Sequence, residues 1–464
     1  MRFGRVRRVH FVGIGGSGMS GIAEVLLNLG YRVSGSDLSE NEATRRLAAL
    51  GATITQGHTA AAVADADVVV VSAAIDTENP EIAEAHRLRV PVIPRAEMLG
   101  ELMRMKYAVA VAGSHGKTST TSMVAQVLAR CGLDPTVVIG GKLEMFGSSA
   151  KLGSGSLLVA EADESDGSFL RLFPTWAVVT GIDREHLDHH GDMERLRDAF
   201  VRFLKRVPFH GAVVACLDDA GVQAILPRLD RRVVTYGLTA QADFRALEIV
   251  PQGFGVRFSF RHGNDAPIST LLATPGRHQV QNALAALAVA WELGLALPVA
   301  AAALEGFPGA DRRMSRRGEA GGVLVVDDYG HHPTEIRATL AALREAVAER
   351  RIVVLFQPHR YSRLEALFDE FTRSFYDADQ VIVADVYAAG EAPRPGVDAE
   401  RLAAAIAEHG HRGARYGGPL AEAVKTTLDT LAPGDVLLTL GAGSVGKVHE
   451  EILRALGASG AARG

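Results

Sequence analysis

The 464-residue sequence predicts an α/β protein built as three domains. Three observations carry that expectation. Apolar, β-rich runs alternate with helical patterns almost from end to end, the rhythm of parallel strands flanked by helices. The rhythm restarts twice, near residues 105 and 310. A chain of this length also exceeds what a single hydrophobic core serves. The expected domains are residues 1–105, 106–310 and 311–464.

The first domain opens with HFVGIGGSGMSGIAEVLLNLGYRVSGSD, residues 10–37. Gly13, Gly15 and Gly18 follow an apolar run in G-x-G-x-x-G spacing, and Asp37 ends the next run. Such glycines allow a tight turn and bring a helix N-terminus close to a pyrophosphate, while the acid can meet a ribose. These residues alone do not choose between NAD and another pyrophosphate. ADVVVVSAAI and VPVIP continue the strand rhythm. The extreme N-terminus is basic and then apolar, but it breaks at glycines, as a strand and phosphate turn would.

The second domain begins with YAVAVAGSHGKTSTTSMVAQVLARCG, a strand, a glycine turn and a helix starting near Lys117. The general spacing G-x-x-x-x-G-K-[ST] is not met, because Val111 stands where its first glycine would be. What remains is Gly113-x-x-Gly116-Lys117-Thr118. Backbone N–H groups of such a turn cradle phosphates at the helix N-terminus. Lys117 would reach the β/γ-phosphates and the Thr118 hydroxyl would ligate Mg2+. A glycine turn that only caps a helix is the plainer alternative. A hydride-transfer enzyme needs the first phosphate turn alone, so the second argues that ATP is consumed.

Triphosphate chemistry calls for a divalent cation and hard oxygen ligands. VAEADESDGSF offers Glu161, Asp163, Glu164 and Asp166 after an apolar strand, with Glu161 the Mg2+ candidate and a solvated acidic loop the alternative. GIDREHLDHHGD brings His186, Asp188, His189 and His190 to another strand end, and His186 is the residue singled out there. The Ala-rich stretch 283–304 is long enough to span a bilayer, but Glu292, Gly294 and Pro298 divide it into two expected helices.

In the third domain, VVDDYGHHPTEI sets two aspartates, a tyrosine and two histidines at a strand end, with Pro333 opening a helix. LFQPHRYSR places His359, Arg360, Tyr361 and Arg363 similarly. Arginine forks suit carboxylates, so these groups could dock an amino acid or form salt bridges between domains. RIVVLFQ, QVIVADVYAAGE and DVLLTLGAG read as further strands, and the tail GASGAARG as frayed.

The bulk numbers narrow the class. An apolar fraction of 47% with 22% charged residues is that of a globular protein. A net charge of −5 leaves no basic footprint for nucleic acid. Cys131 and Cys216 are the two cysteines; they lack metal-ligand spacing and fit reduced thiols in a cytoplasmic protein with no membrane association.

Taken in order, GIGGSGMSGIAE, SHGKTSTT, EADESDGSF, HLD, GRHQVQNALAA, RRM, VVDDYGHHPTEI, FQPHRYSR and YAAGE resemble the Mur ligase family of peptidoglycan synthesis over nearly the whole length. The resemblance is nearest to the member that adds the first amino acid. It implies a Rossmann-like UDP-binding domain, a central P-loop ATPase-type domain and a C-terminal Rossmann-like domain. It also implies ATP-dependent joining of L-alanine to the lactyl carboxylate of UDP-N-acetylmuramate through an acyl phosphate. Gly13, Gly15, Gly16, Ser17, Gly18, Met19, Asp37 and Ser72 would then hold the UDP-sugar. Gly113, Ser114, His115, Gly116, Lys117, Thr118 and Ser119 would hold ATP phosphates, Asn282 adenine, and Arg313 and Asp328 would complete the ATP site. Lys117, Glu161 and His186 would act in catalysis, with Mg2+ at Thr118, Glu161 and His186. Tyr329, His331, His359 and Arg360 would hold L-alanine, and the third domain would close when nucleotide binds.

Some positions depart from the family pattern. Ser149 stands where asparagine is usual and Gln279 replaces a common asparagine; Lys205 does not align with the carboxylated lysine of sibling ligases. The adjacent pairs Arg312/Arg313 and Asp327/Asp328 leave open which member faces ATP. A monomer or homodimer is expected. Three other readings remain: a ligase that recycles peptides onto the same sugar, an NAD-dependent oxidoreductase, and a nucleotide-binding module without activity. The second phosphate turn weighs against the oxidoreductase, and the retained Lys117 and acidic residues against the inactive module.

Overall fold

A computed structural model describes residues 3–72, 74–143 and 148–461. The side chains of Ser17 and Ser149 fall outside the described set. The backbone forms two compact bodies. The first comprises residues 1–248, 259–270 and 281–307; the second comprises residues 249–258, 271–280 and 308–464.

Three sheets run through the chain. Strands β1 (Arg8–Val12), β2 (Arg32–Asp37), β3 (Thr53–Gln56), β4 (Val68–Val71) and β5 (Val92–Pro94) form a parallel sheet in the order β3-β2-β1-β4-β5. That doubly wound order reverses between β1 and β4, which opens a crevice at the carboxyl ends of those strands. The second sheet holds β6 (Tyr107–Ala112), β7 (Thr136–Leu143), β8 (Ser148–Lys151), β9 (Leu157–Glu161), β10 (Trp176–Val179), β11 (Ala212–Cys216), β12 (Val233–Gly237), β13 (Phe244–Gln252), β14 (Gly255–His262) and β15 (Ile268–Leu272). Its order is β15-β14-β13-β12-β11-β10-β6-β9-β7-β8. The third sheet orders β16 (Ser315–Ala320), β17 (Val323–Asp328), β18 (Ile352–Phe356), β19 (Gln380–Ala384), β20 (Ala414–Gly418) and β21 (Val436–Leu440) as β16-β17-β21-β18-β19-β20.

The expected rhythm is present, with additions at the sheet edges. β8 pairs antiparallel with β7, and β16 antiparallel with β17. Neither pairing was expected, nor was the run β13–β15. β13 alternates buried and exposed positions only at its start and then turns outward, so it lacks the continuous apolar run that marks the central strands. The stretch 283–304 is divided between two helices, Arg277–Glu292 and Leu297–Leu304, with residues 293–296 joining them, as its breaks suggested. At the C-terminus the helix His449–Ala461 continues through most of the tail that composition read as frayed. Alanines interleaved with the tail's glycines keep helix propensity high enough to extend the turn.

Within the first body one apolar core is continuous from Val9, Phe11 and Leu26 through Met98 and Leu102 to Ala110, Phe169 and Phe200. β2 reaches this core through Gly35, where a Cβ would stand 2.5 Å from Ile14 Cδ1 and 2.8 Å from the Phe11 carbonyl oxygen. Both cysteines are free; Cys216 is buried, and burial pushes its thiol up to about 12. Among the described residues no helix is long and apolar enough to cross a membrane.

Because the Phe11 carbonyl belongs to a paired central strand and cannot retreat, Gly35→Ala is expected to destabilise the first sheet by about 1–3 kcal/mol. An unchanged urea midpoint for that variant would contradict this packing.

Candidate active site

The first glycine turn hangs from β2. Gly13 and Ile14 donate their N–H groups to the Ser36 carbonyl at 2.8 and 3.0 Å. Gly15 N–H donates to Asp37 Oδ2 at 2.8 Å. A Cβ at Gly15 would lie 2.5 Å from Asn41 Nδ2, and one at Gly18 would lie 2.4 Å from Arg95 Nη1. The turn therefore needs glycine for close approach of side chains as well as for conformation. Gly16 caps the helix Ser17–Asn28, Met19 is buried, and Ser72 follows β4 at the crevice.

The second turn leaves β6 between β9 and β10. Gly113 has φ 132°, and a Cβ there would lie 2.2 Å from Thr180 Oγ1. Ser114 N–H donates to the Gly181 carbonyl at 2.9 Å, and Ser114 Oγ accepts from Asp183 N–H at 2.9 Å. His115 Nε2 lies 3.0 Å from Asp183 Oδ2. Gly116, at φ 78°, opens the helix Lys117–Arg130, whose first turn carries Thr118 and the buried Ser119. Asn282 sits against this turn: its Oδ1 accepts from Thr120 Oγ1 at 3.1 Å and would be 2.7 Å from a Cβ at Gly116.

Lys117 is the centre of an acidic cluster. Its Nζ donates to the Gly113 carbonyl at 2.7 Å and to Glu164 Oε1 at 2.8 Å, with Ser114 O farther off at 3.4 Å. Burial alone would lower the lysine pKa, but the adjacent Glu164 outweighs it and holds the ammonium charged above its ordinary value. His186, in left-handed conformation at φ 57°, places Nε2 3.9 Å from both Glu164 Oε1 and Glu185 Oε2. A non-glycine residue held there stores strain of the kind found at functional sites.

A cleft of ≈ 380 Å³ joins the two turns. Gly16, Gly18, Met19 and Ser72 line it from the first sheet, and Lys117, Glu161 and Asp163 from the second, with Arg95 among them. Asp37 instead borders a separate hollow of ≈ 280 Å³ with Thr44, Arg45 and Gln56.

In the second body, the rings of Tyr329, His331 and His359 lie side by side. Ring centroids lie 5.4 Å apart for Tyr329 and His331 and 5.8 Å apart for His331 and His359. His359 also stacks on Tyr387 at 5.6 Å, and Arg360, at φ 70°, donates its N–H to the Tyr387 carbonyl. Burial first, then the nearby His331, Arg363 and Arg360, depress the His359 pKa to about 4. Its Nδ1 accordingly accepts from Arg363 Nη1 at 3.2 Å. The adjacent pairs divide their work. Arg312 Nε bonds Asp327 at 3.0 Å, while Arg313 lies 3.4 Å from Glu335. Asp328 accepts from Met314 N–H, Gly330 N–H and the Thr339 hydroxyl, bracing the strand end.

Several residues of this site carry no local sequence signal. Arg95 opens a helix in ordinary PRAEM text, and Glu185 stands beside the more conspicuous His186. Glu164 was one acid among four, and Tyr387 lies in YAAGE without a role drawn from it.

Two phosphate turns facing one cleft define a nucleotide-dependent enzyme acting on a second phosphorylated substrate. Family models match in succession: the Mur ligase family catalytic domain over residues 8–107, the Mur ligase middle domain over 111–290, and the Mur ligase glutamate ligase domain over 312–443. The chain belongs to the Mur ligase family, with its three-domain α/β fold. A protein of Geobacter sp. (strain M21) named UDP-N-acetylmuramate–L-alanine ligase is 54% identical over 98% of this chain and 99% of its own length. One of the same name from Desulfosudis oleivorans is 55% identical over 96% of this chain and 97% of its own. The crystal structure of UDP-N-acetylmuramate-alanine ligase from Thermotoga maritima aligns with TM-score 0.80 and 30% identity over 97% of this chain and 99% of its own.

A histidine whose folded pKa is depressed binds fewer protons folded than unfolded, so its contribution is complete above pH 6.5 and is lost toward pH 4. His359→Asn should therefore shrink the drop in melting temperature between pH 7 and pH 4.5 relative to the parent chain. An identical drop in both proteins would show that His359 keeps an ordinary pKa.

Proposed function

We propose that this chain joins L-alanine to the lactyl carboxylate of UDP-N-acetylmuramate at the expense of ATP, in peptidoglycan precursor synthesis. The cleft that runs from the Gly16–Gly18 turn to Lys117 carries the reading, because a sugar nucleotide seated at one end can present a carboxylate at the other. Relatives above half identity over nearly the full length support the same reaction.

A carboxylate is a poor acyl donor because oxide is a poor leaving group. Transfer of the ATP γ-phosphoryl to the lactyl oxygen gives an acyl phosphate and ADP. The alanine amine then attacks the acyl carbon, and phosphate leaves from the tetrahedral intermediate. Catalysis is mainly positioning and charge neutralisation. Lys117 donates to the moving phosphoryl oxygens, and backbone N–H groups of 113–118 cradle the chain of phosphates. Gly13, Gly15, Gly16, Ser17, Gly18, Met19 and Ser72 hold the diphosphate, with Arg95 as a further donor and Asp37 anchoring the turn. Asn282, Arg313 and Asp328 are assigned to ATP. Tyr329, His331, His359 and Arg360 are assigned to holding the amino acid.

The donor set suits Mg2+: the Glu161 carboxylate is a hard oxygen at the cleft, the Thr118 hydroxyl belongs to the residue next to cleft-lining Lys117, and His186 supplies a nitrogen. Bound there, the cation would neutralise phosphate charge. We further assign the enzyme to the cytoplasm, as a monomer or homodimer, with domain joins near 105 and 310.

The test is phosphate release from Mg·ATP with UDP-N-acetylmuramate, with and without L-alanine. Release that needs both substrates, with a product heavier by one alanine residue, is expected. Preference for a peptide over alanine would replace the assignment with a recycling ligase, and release independent of the sugar would sink it. Lys117→Met should lower kcat by about 10²–10³-fold. Glu161→Gln should raise the Mg2+ concentration needed for half-maximal rate, and an unmoved Mg2+ requirement would remove Glu161 from the metal set.

A further inference from the structure

We propose that Glu164 is the positioning residue of the phosphate-loop lysine, its buried carboxylate fixing the Lys117 ammonium so that one donor stays aimed into the cleft. The inference rests on the assignment of Lys117 to the ATP phosphates. An ammonium has three donors in a rotatable cone. Two are taken by short bonds, to Gly113 O at 2.7 Å and Glu164 Oε1 at 2.8 Å. The contact to Ser114 O, at 3.4 Å, is the long one, and it is the one a phosphate oxygen can replace.

Glu164 is built to stay in place. Its side chain has no solvent exposure, and its backbone carbonyl accepts from His190 Nε2 at 2.8 Å and from Gly167 N–H at 3.1 Å. The turn around it is pinned by Ser165 N–H on Asp163 Oδ1 and Phe169 N–H on Asp163 O. Its second oxygen, Oε2, is buried without a hydrogen bond among the described residues, so the Lys117 bond is the carboxylate's main compensation. Glu161, by contrast, lines the cleft, where Glu164 does not. The two glutamates of EADE thus divide between cation and lysine.

A double-mutant cycle on the full chain reads this directly, using sugar- and alanine-dependent phosphate release. Glu164→Gln should lower kcat by about 10- to 100-fold, the effect of a small misplacement, with KM for UDP-N-acetylmuramate within about twofold. In a Lys117→Met background the same change should cost less than about twofold, because the residue it positions is gone. Additive losses would overturn the proposal. So would a parent-like kcat for Glu164→Gln, or a loss that excess Mg2+ restores. If Glu164→Gln does not fold, Glu164→Asp carries the same cycle, since it keeps the charge but falls short of Nζ. A Lys117→Met enzyme with parental rate would instead overturn the assignment of the lysine itself, which separates the two failures.

Discussion

Parallel pairing is the constraint from which this site follows. Strands that run together end together, so the loops leaving β6, β9 and β10 must emerge on one edge of the sheet. The registers make this concrete: Val111 pairs with Glu161, and Ala112 with Val179. Gly113 and Thr180 are consequently brought abreast, only one residue past the last paired positions. Nothing more is required to set a phosphate turn beside an acid and a histidine loop that are tens of residues away in sequence. The same argument, applied to β1 and β4, brings the first glycine turn beside Ser72.

Given that placement, the glycines decide how closely neighbours may approach. Gly113 admits Thr180, Gly15 admits Asn41 and Asp37, and Gly18 admits Arg95. Each contact substitutes a polar side chain for the space a methyl would fill, and each lies at the mouth of a helix. Phosphate turns are usually discussed for their backbone N–H groups. Here the missing Cβ atoms also let protein side chains come within bonding distance of the turn, as the Asp37 carboxylate does on Gly15 N–H.

Much of this was legible beforehand, for a physical reason. The turn from Gly113 to Thr118 is set by local geometry, so its spacing can be read directly. Glu161 ends β9, and a strand end can be read from an apolar run that stops at a charge, whereas His186 lies in the loop that follows β10. Arg95 could not be read that way, because its contacts at Gly18 and in the cleft arise only when helix and turn pack. The burial of Glu164 against Lys117 was likewise invisible: the acids of EADE face different directions, and only the fold says which one is buried. The pairs Arg312/Arg313 and Asp327/Asp328 show the same limit: only the fold shows that Arg312 bonds Asp327 and that Asp328 braces the strand end. β13–β15 and β16 were missed because half-exposed strands toward the sheet edges lack the continuous apolar signature of central ones.

The state of Cys216 has a practical consequence for handling the protein. Burial pushes the thiol up to about 12, so little thiolate forms at neutral pH, and the side chain is closed to solvent. Cys131, the other cysteine, is half-buried and also shifted upward by burial. Burial therefore works against thiol chemistry at both native cysteines, most strongly at Cys216. A cysteine introduced on an exposed helix would take a fluorophore or spin label ahead of Cys216, whose sulfur can stay in the core.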